Sequence, residues 1–189
     1  MPDSYKSSQS ELFPWFVLRL RSNFERVTAQ FLESRGYEVF LPTYRRRRRR
    51  SDRVQEIQVP LFPGYVFCRM DFNRRLPVLM APGVIGIAGL GKIAVPVSEH
   101  EIASVRAIAQ SRLFSEPWPY LQAGSRIVIE HGPLAGTEGI LICIKGEFRL
   151  VASISILQRA VAVELERDWV RSADPSWSKA SALAAAELR

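Results

Sequence analysis

The chain has 189 residues and carries 26 Lys and Arg against 19 Asp and Glu, a net charge of +7. At 47% hydrophobic and 10% aromatic it can bury a core, which excludes wholesale disorder, and its length fits one large domain or two small ones. No run approaches the ~18 apolar residues of a membrane span. The opening MPDSYKSSQSELFPWF lacks the long apolar stretch of a secretory signal, so no membrane association is expected. Cys68 and Cys143 stand far apart without a CxxC or His-rich context. That argues against a metal site or a disulfide scaffold and suits a reducing cytoplasm.

The charge is unevenly spread. Residues 1–113 hold 18 basic and 10 acidic residues, and residues 114–189 hold 8 and 9, so the whole positive excess lies in the first part. Arg45, Arg46, Arg47, Arg48, Arg49 and Arg50 supply most of it. Such a run cannot be a core element, because unpaired charges are too costly to bury. Three readings stay open: a solvated loop, a polyanion contact driven by counterion release, or a nuclear localisation signal.

In chain order, residues 1–12 are polar and read as a loose tail. Trp15 to Leu20 reads as a strand. Ser22 and Glu25 form an S-x-x-E capping box, with Phe24, Val27, Phe31 and Leu32 at helical spacing and Gly36 as the stop. Tyr37 to Tyr44 and Val54 to Val59 read as strands flanking a long basic loop, a hairpin with a charged tip. Leu61 to Arg69 is a dense apolar strand in which Pro63-Gly64 points to a bulge or a sheet edge. A short helix is expected over Phe72 to Met80, a turn at Pro82-Gly83, and a short strand over Val84 to Ile87. A second capping box, Ser98 and Glu101, opens a helix with Ile102, Val105, Ile108 and Ala109 as its stripe. This order predicts an α+β fold, helices packed on an antiparallel sheet.

Ser111 to Pro119 reads as a linker, Pro117 and Pro119 flanking Trp118. Beyond it, Ile127 and Ile129 alternate. Three apolar strands follow, at Gly139 to Ile144, Arg149 to Leu157 and Ala160 to Leu165. Short strands broken by Gly and Pro predict a small closed or nearly closed β-barrel. From Asp174 the chain is Ser/Ala-rich and holds at most a marginal helix.

PWFVLRLRSNFE, PLFPGYVFCRM and APGVIGI resemble the N-terminal domain of NusG-type transcription factors. AGSRIVIEHGPLAGTEGILI resembles a KOW motif, and SISILQRAVAVEL resembles the segment that closes its barrel. The resemblance covers residues ~13–172 in the family's order. It implies a ferredoxin-like NGN sandwich at 13–112, a linker at 113–120, an SH3-like KOW barrel at 121–173 and a tail at 174–189. ILQRAVAVEL and Arg50-Ser51-Asp52-Arg53 are similar to segments of UpxY-type and LoaP-type antiterminators, specialised paralogues that act on long operons such as those for surface polysaccharides. Leu134, Gln158 and Val161-Ala162 depart from the housekeeping pattern of Phe, Gly and Thr-Pro.

The resemblance implies docking on the paired clamp helices of RNA polymerase through Trp15, Phe16, Phe62, Pro63, Tyr65, Phe67 and Val84. Aromatic groups suit hot spots, but an alternating strand must also turn about half of them into the core, so each remains open between contact and core. Arg19, Arg21, Asn23 and Arg26 are implied to face non-template DNA, and Arg45–Arg50 upstream duplex DNA or nascent RNA. The barrel is implied to recruit a partner, a ribosomal protein or Rho, through Leu157, Arg159, Lys145 and Arg149. The expected action is suppression of pausing and termination, operon-specific, by a cytoplasmic monomer without a cofactor. The alternatives are a housekeeping elongation and Rho-coupling factor, or a free KOW module that binds RNA or ribosomes. Strand patterning over Ile140–Ile144 and Ile154–Val163 argues against an RfaH-like refolding of the barrel into helices. His100 and His131 are the only histidines, and no P-loop, GxSxG or HExxH is present, so catalysis is not expected.

Overall fold

The computed structural model describes residues 13–50, 53–91, 93–111, 113, 115–119, 125–144, 147–154, 157–165 and 169–172. They fall into two units divided between Glu99 and His100. The expected tails at 1–12 and 174–189 lie outside the described residues.

In the first unit β1 (Trp15–Leu20), β2 (Glu38–Phe40), β5 (Tyr65–Arg69) and β6 (Val84–Ile87) form one antiparallel sheet in the order β2-β5-β1-β6. With α1 (Glu25–Glu33) after β1 and α2 (Leu76–Leu79) before β6, this is the β-α-β-β-α-β pattern of a ferredoxin-like sandwich. One sheet face carries Phe16, Leu18 and Leu20 beside Val66 and Cys68. It packs on Leu32 of α1 and Val78 of α2, and removing each such side chain from water contributes about 1.5–3 kcal/mol. The opposite face carries Trp15, Val17 and Phe67, also fully buried.

Two expectations for α1 are corrected here. The buried stripe of α1 is Glu25, Thr28, Ala29 and Leu32, whereas Phe24 and Val27 are exposed. The helix is rotated from the apolar stripe because two polar side chains on its inner face find partners there: Glu25 accepts from the Gly64 N–H, and the Thr28 hydroxyl donates to the Pro82 carbonyl. Ser22 does not cap it; Phe24 is the N-cap and makes no side-chain cap bond. Gly36, at φ +84°, does end it, and the Tyr37 N–H donates to the Leu32 carbonyl at 3.1 Å.

The basic run is not a loop. β3 (Thr43–Arg50) and β4 (Arg53–Pro60) pair in unbroken register from Thr43↔Pro60 to Arg50↔Arg53, so the arginines are themselves strand residues. A two-stranded ribbon that pairs with no other sheet imposes no burial on its charges, which removes the objection to a charged strand. Pro63-Gly64 likewise precedes β5 as a turn, so that strand begins at Tyr65. The expected 72–80 helix is split into a 3-10 turn (Phe72–Arg74) and the four-residue α2. A small hairpin of β7 (Gly89–Leu90) and β8 (Ile93–Ala94) follows.

The helix expected after Ser98 is α3 (Glu99–Gln110), which buries Ile102, Ser104, Val105 and Ile108. Residues expected to be a linker are instead β9 (Ser115–Pro119), antiparallel to β13 (Arg159–Leu165). Pro117 and Pro119 are tolerated because β9 is an edge strand with one unpaired side. With β10 (Ser125–Ile129), β11 (Glu138–Ile144), β12 (Glu147–Ile154) and β14 (Val170–Ser172), the second unit is an antiparallel sheet ordered β14-β10-β11-β12-β13-β9. Ile127, Ile129, Leu134 and Leu150 are among its largest fully buried side chains. The turn into β13 holds Gln158 at φ +51°, a left-handed conformation where a Cβ is unfavourable.

Two outcomes follow from this packing. Gln158→Gly is expected to raise the urea midpoint by an amount equivalent to about 0.5–1 kcal/mol at unchanged m, relief of the left-handed strain exceeding glycine's extra chain entropy. Burial, with a smaller contribution from the Glu38 carboxylate, pushes the Cys68 thiol from 9.0 up to about 12. Above pH 9.0 the unfolded chain loses this proton and the native state keeps it, so stability falls with rising pH, by up to about 1.4 kcal/mol per unit from this group. Denaturation across that range is expected to show a shallower fall for Cys68→Ala.

Candidate functional site

Two Pro-Gly turns organise the exposed end of β1. In the first, the Tyr65 N–H donates to the Phe62 carbonyl at 3.1 Å, with Gly64 at φ +82°. In the second, the Val84 N–H donates to the Ala81 carbonyl at 3.2 Å, with Gly83 at φ +80°. Proline followed by a left-handed glycine is the type II sequence signature, and both positions demand glycine. Successive backbone donors of the chain leaving β1 then bind the two turns: Leu20 N–H to Gly64 O and Arg21 N–H to Gly83 O, each 2.8 Å. The first turn is also tied from below, its Gly64 N–H donating to the buried Glu25 carboxylate at 2.8 Å.

This frame sorts the expected docking residues. Trp15, Phe16, Phe62 and Phe67 are 4% exposed or less, so the expectation that they present area to a partner is corrected. Phe16 packs against Phe72 in the helix-side layer, and Phe67 lies between Phe40 and Phe62. Trp15 is covered by Arg69, whose guanidinium lies 5.0 Å from its ring and is held by Glu38 at 3.0 Å and Glu99 at 2.9 Å. Val84 is half-buried against the helix-side core. Pro63 is exposed and Tyr65 half-buried. These two stand at the surface, shaped from beneath by Phe62 and Phe67.

Of the residues expected to meet nucleic acid, Arg19, Arg21, Asn23 and Arg26 are exposed. Arg19 sits opposite Tyr65 on β5 and Gly86 on β6, its Nη2 lying 3.9 Å from where a Cβ on Gly86 would stand. Asn23, at φ +66°, makes the tight turn between β1 and α1, a conformation Asn accepts better than most residues. Arg26 donates from Nη2 to the Gln58 carbonyl at 2.9 Å and so ties α1 to the base of the basic ribbon. Arg45 and Arg46 are exposed, Arg45 lying 3.9 Å from Glu56, and Arg47–Arg50 continue β3.

Sequence reasoning missed an apolar rim here. The β1–β6 register steps from Arg19↔Gly86 to Leu20↔Val84, so Ile85 is bulged out and 60% exposed. Met80 is 82% exposed, and Phe24 packs over Gly83 with part of its ring outside. Nothing in the local pattern marks the bulge; the repeated Pro-Gly pair was the available signal for the frame.

In the second unit Arg159 is exposed at the start of β13 and Leu157 is half-buried beside it. Arg149 is corrected as a surface contact. It faces Glu164 across the β12–β13 ladder at 3.4 Å with 14% of its side chain exposed, a cross-strand pair that braces the sheet. Lys145 lies outside the described residues. His100 Nε2 stands 3.8 Å from a Glu138 carboxylate oxygen, and α3 also meets β11 through Ser104.

The chain thus comprises an α+β unit with an exposed cationic edge followed by an antiparallel β unit. The family model described as transcription termination factor nusG matches residues 13–106. The NusG transcription termination/antitermination protein of Pseudomonas aeruginosa is 28% identical over 152 residues, covering 78% of this chain and 86% of that protein. The protein of the same name from Vibrio parahaemolyticus is 29% identical over 174 residues, covering 85% and 96%. A solved structure titled "Domain interaction in Thermotoga maritima NusG" superposes with a TM-score of 0.53 at 20% identity, covering 87% of this chain and 99% of that one. The chain belongs to the NusG family of transcription factors.

The Pro-Gly frame makes a sharp prediction. A Cβ on Gly83 would stand 2.4 Å from Phe24 atoms and would hold the residue at φ +80°. Gly83→Ala is expected to cost about 2–4 kcal/mol, combining backbone strain with overpacking. Gly36→Ala, at φ +84° but with nothing within 4 Å, is the control and is expected to cost about 1 kcal/mol. Urea denaturation of the two variants measures the difference.

Proposed function

We propose that this NusG-family chain is an elongation and antitermination factor. It docks its first unit on the paired clamp helices of RNA polymerase and suppresses pausing and termination on particular operons. The observation that carries this reading is the juxtaposition at the end of β1: Pro63 and Tyr65 stand at the surface on one Pro-Gly turn, and Arg19, Arg21 and Asn23 adjoin them. An apolar anchor beside cations suits a protein surface that borders nucleic acid, the anchor holding the partner and the cations holding exposed non-template phosphates.

Mechanically, a ligand that binds only the closed clamp shifts the population away from the open states that pausing and termination require. A preference of about 2 kcal/mol changes that ratio roughly thirtyfold, and no covalent chemistry is needed. The second unit recruits another partner, a ribosomal protein or Rho, through Leu157 and Arg159. The factor works as a cytoplasmic monomer. The operon-specific form of the reading is supported by the departures at Leu134, Gln158 and Val161-Ala162. A general elongation factor is the second reading, favoured by the names and nearly full-length coverage of the relatives.

Tyr65→Ala is expected to weaken binding to core polymerase by about 1–2 kcal/mol, roughly tenfold, and to lower terminator read-through in a defined transcription assay. Unchanged affinity together with unchanged read-through would refute the docking role. Deletion of the gene with transcript mapping separates the two readings, one operon changing in the first and transcription globally in the second.

A further inference from the structure

The sheet of the second unit has two ends, and they are built differently. One end is β14, only three residues long, and so short an edge templates little further pairing. The other is β9, which lies along β13 from Val163↔Ser115 to Arg159↔Pro119.

Proline fixes which way the backbone of β9 points. Opposed residues of an antiparallel pair alternate between those that exchange both backbone bonds and those that exchange none. Pro117 and Pro119 have no N–H, so Val161↔Pro117 and Arg159↔Pro119 are non-bonded pairs, and Ala162↔Glu116 and Ala160↔Trp118 are the bonded ones. The backbone groups of Ala160 and Ala162 thus point to β9, and those of Val161 and Val163 to β12. Both proline nitrogens point away from β13. Of the outward donors that a strand would offer at positions 115, 117 and 119, two are deleted. β9 therefore fills the edge of β13 with its inner side and offers little to any further strand with its outer side.

The edge it fills is apolar. Ala160, Val161, Ala162 and Val163 are each 2% exposed or less, and RAVAVEL contains β-branched residues and no proline. Its backbone is also self-complementary. In an antiparallel pair of β13 strands related by a two-fold axis at Ala162, Ala162 faces its own copy and Ala160 faces Glu164. These positions all have the parity that now points to β9, so the pair has three bonded positions where β9 supplies two. A second copy of this chain is thus the occupant that the uncovered edge fits.

We propose that β9 is an edge cap that keeps β13 from pairing with β13 of a second copy. The Glu116 and Trp118 donors fill the edge, and the outward prolines close the sheet beyond it. The chain is held monomeric by the segment that joins α3 to its sheet, and polymerase docking plays no part in this.

Sedimentation equilibrium of full-length variants tests the cap. E116P/W118P deletes the inner donors and is expected to give a dimer, an about twofold rise in mass over wild type. E116A/W118A changes the same side chains but keeps the donors, and is expected to stay monomeric. P117T/P119T restores the outward donors with strand-favouring residues and is expected to dimerise through β9. Amide exchange locates the contact: the Ala160 and Ala162 N–H groups are expected to be protected in wild type and in the E116P/W118P dimer, and to exchange when that variant is diluted to monomer. A folded E116P/W118P that stays monomeric, or that dimerises with those amides exchanging, would overturn the role of β13. A dimer of E116A/W118A would overturn the backbone cap, and assembly beyond a dimer would overturn the two-fold pairing. A monomeric P117T/P119T would overturn the role of the prolines, and this variant decides alone if E116P/W118P does not fold.

Discussion

The first unit depends on two backbone hydrogen bonds made in succession, Leu20 N–H to Gly64 O and Arg21 N–H to Gly83 O. A strand that ends in solvent ordinarily frays, because its last donors have only water. Here those donors are taken by the left-handed glycines of two separate Pro-Gly turns, and one turn is locked to α1 by Glu25. The three segments that meet at the end of β1 are far apart in sequence, yet their relative placement is set to within a hydrogen bond. Pro63, Tyr65, Arg21, Asn23, Phe24 and Ile85 all inherit their positions from this junction.

The same junction explains why so few aromatic residues reach the surface. Once Gly64 is tied down, Phe62 and Phe67 meet edge to face at 5.6 Å beneath the turn, and Arg69 covers Trp15. The aromatic residues thus supply rigidity under a small exposed surface more than contact area themselves.

Electrostatics is divided in a similar way between structural and outward roles. Arg69 and Arg149 are mostly buried and committed to carboxylates on neighbouring elements. Arg26 is exposed but ties α1 to the ribbon. The remaining excess is gathered at the end of β1 and on the ribbon, so the net charge of +7 is a poor guide to what any one surface presents. What a partner meets is set by which arginines already have work inside the fold.

Much of the first unit was legible in the amino-acid sequence. The β1 strand, the stop at Gly36, the Val84–Ile87 strand and the turn at Pro82-Gly83 are local properties, dictated by apolar runs and by the backbone freedom of glycine and proline. The same holds for the family, which local motifs in order suffice to indicate. Four things were decided only in three dimensions. The sheltering of Trp15, Phe16, Phe62 and Phe67 depended on what covers each sheet face, and alternation tells which residues share a face but never which face is covered. The inward turn of Glu25 depended on a donor 39 residues away. The bulge at Ile85 arose from a mismatch between β1 and β6 that neither strand encodes alone. The strand character of the arginine run depended on β4 lying beside it in register, because charge forbids burial but not pairing, and pairing needs a partner that the run itself does not contain.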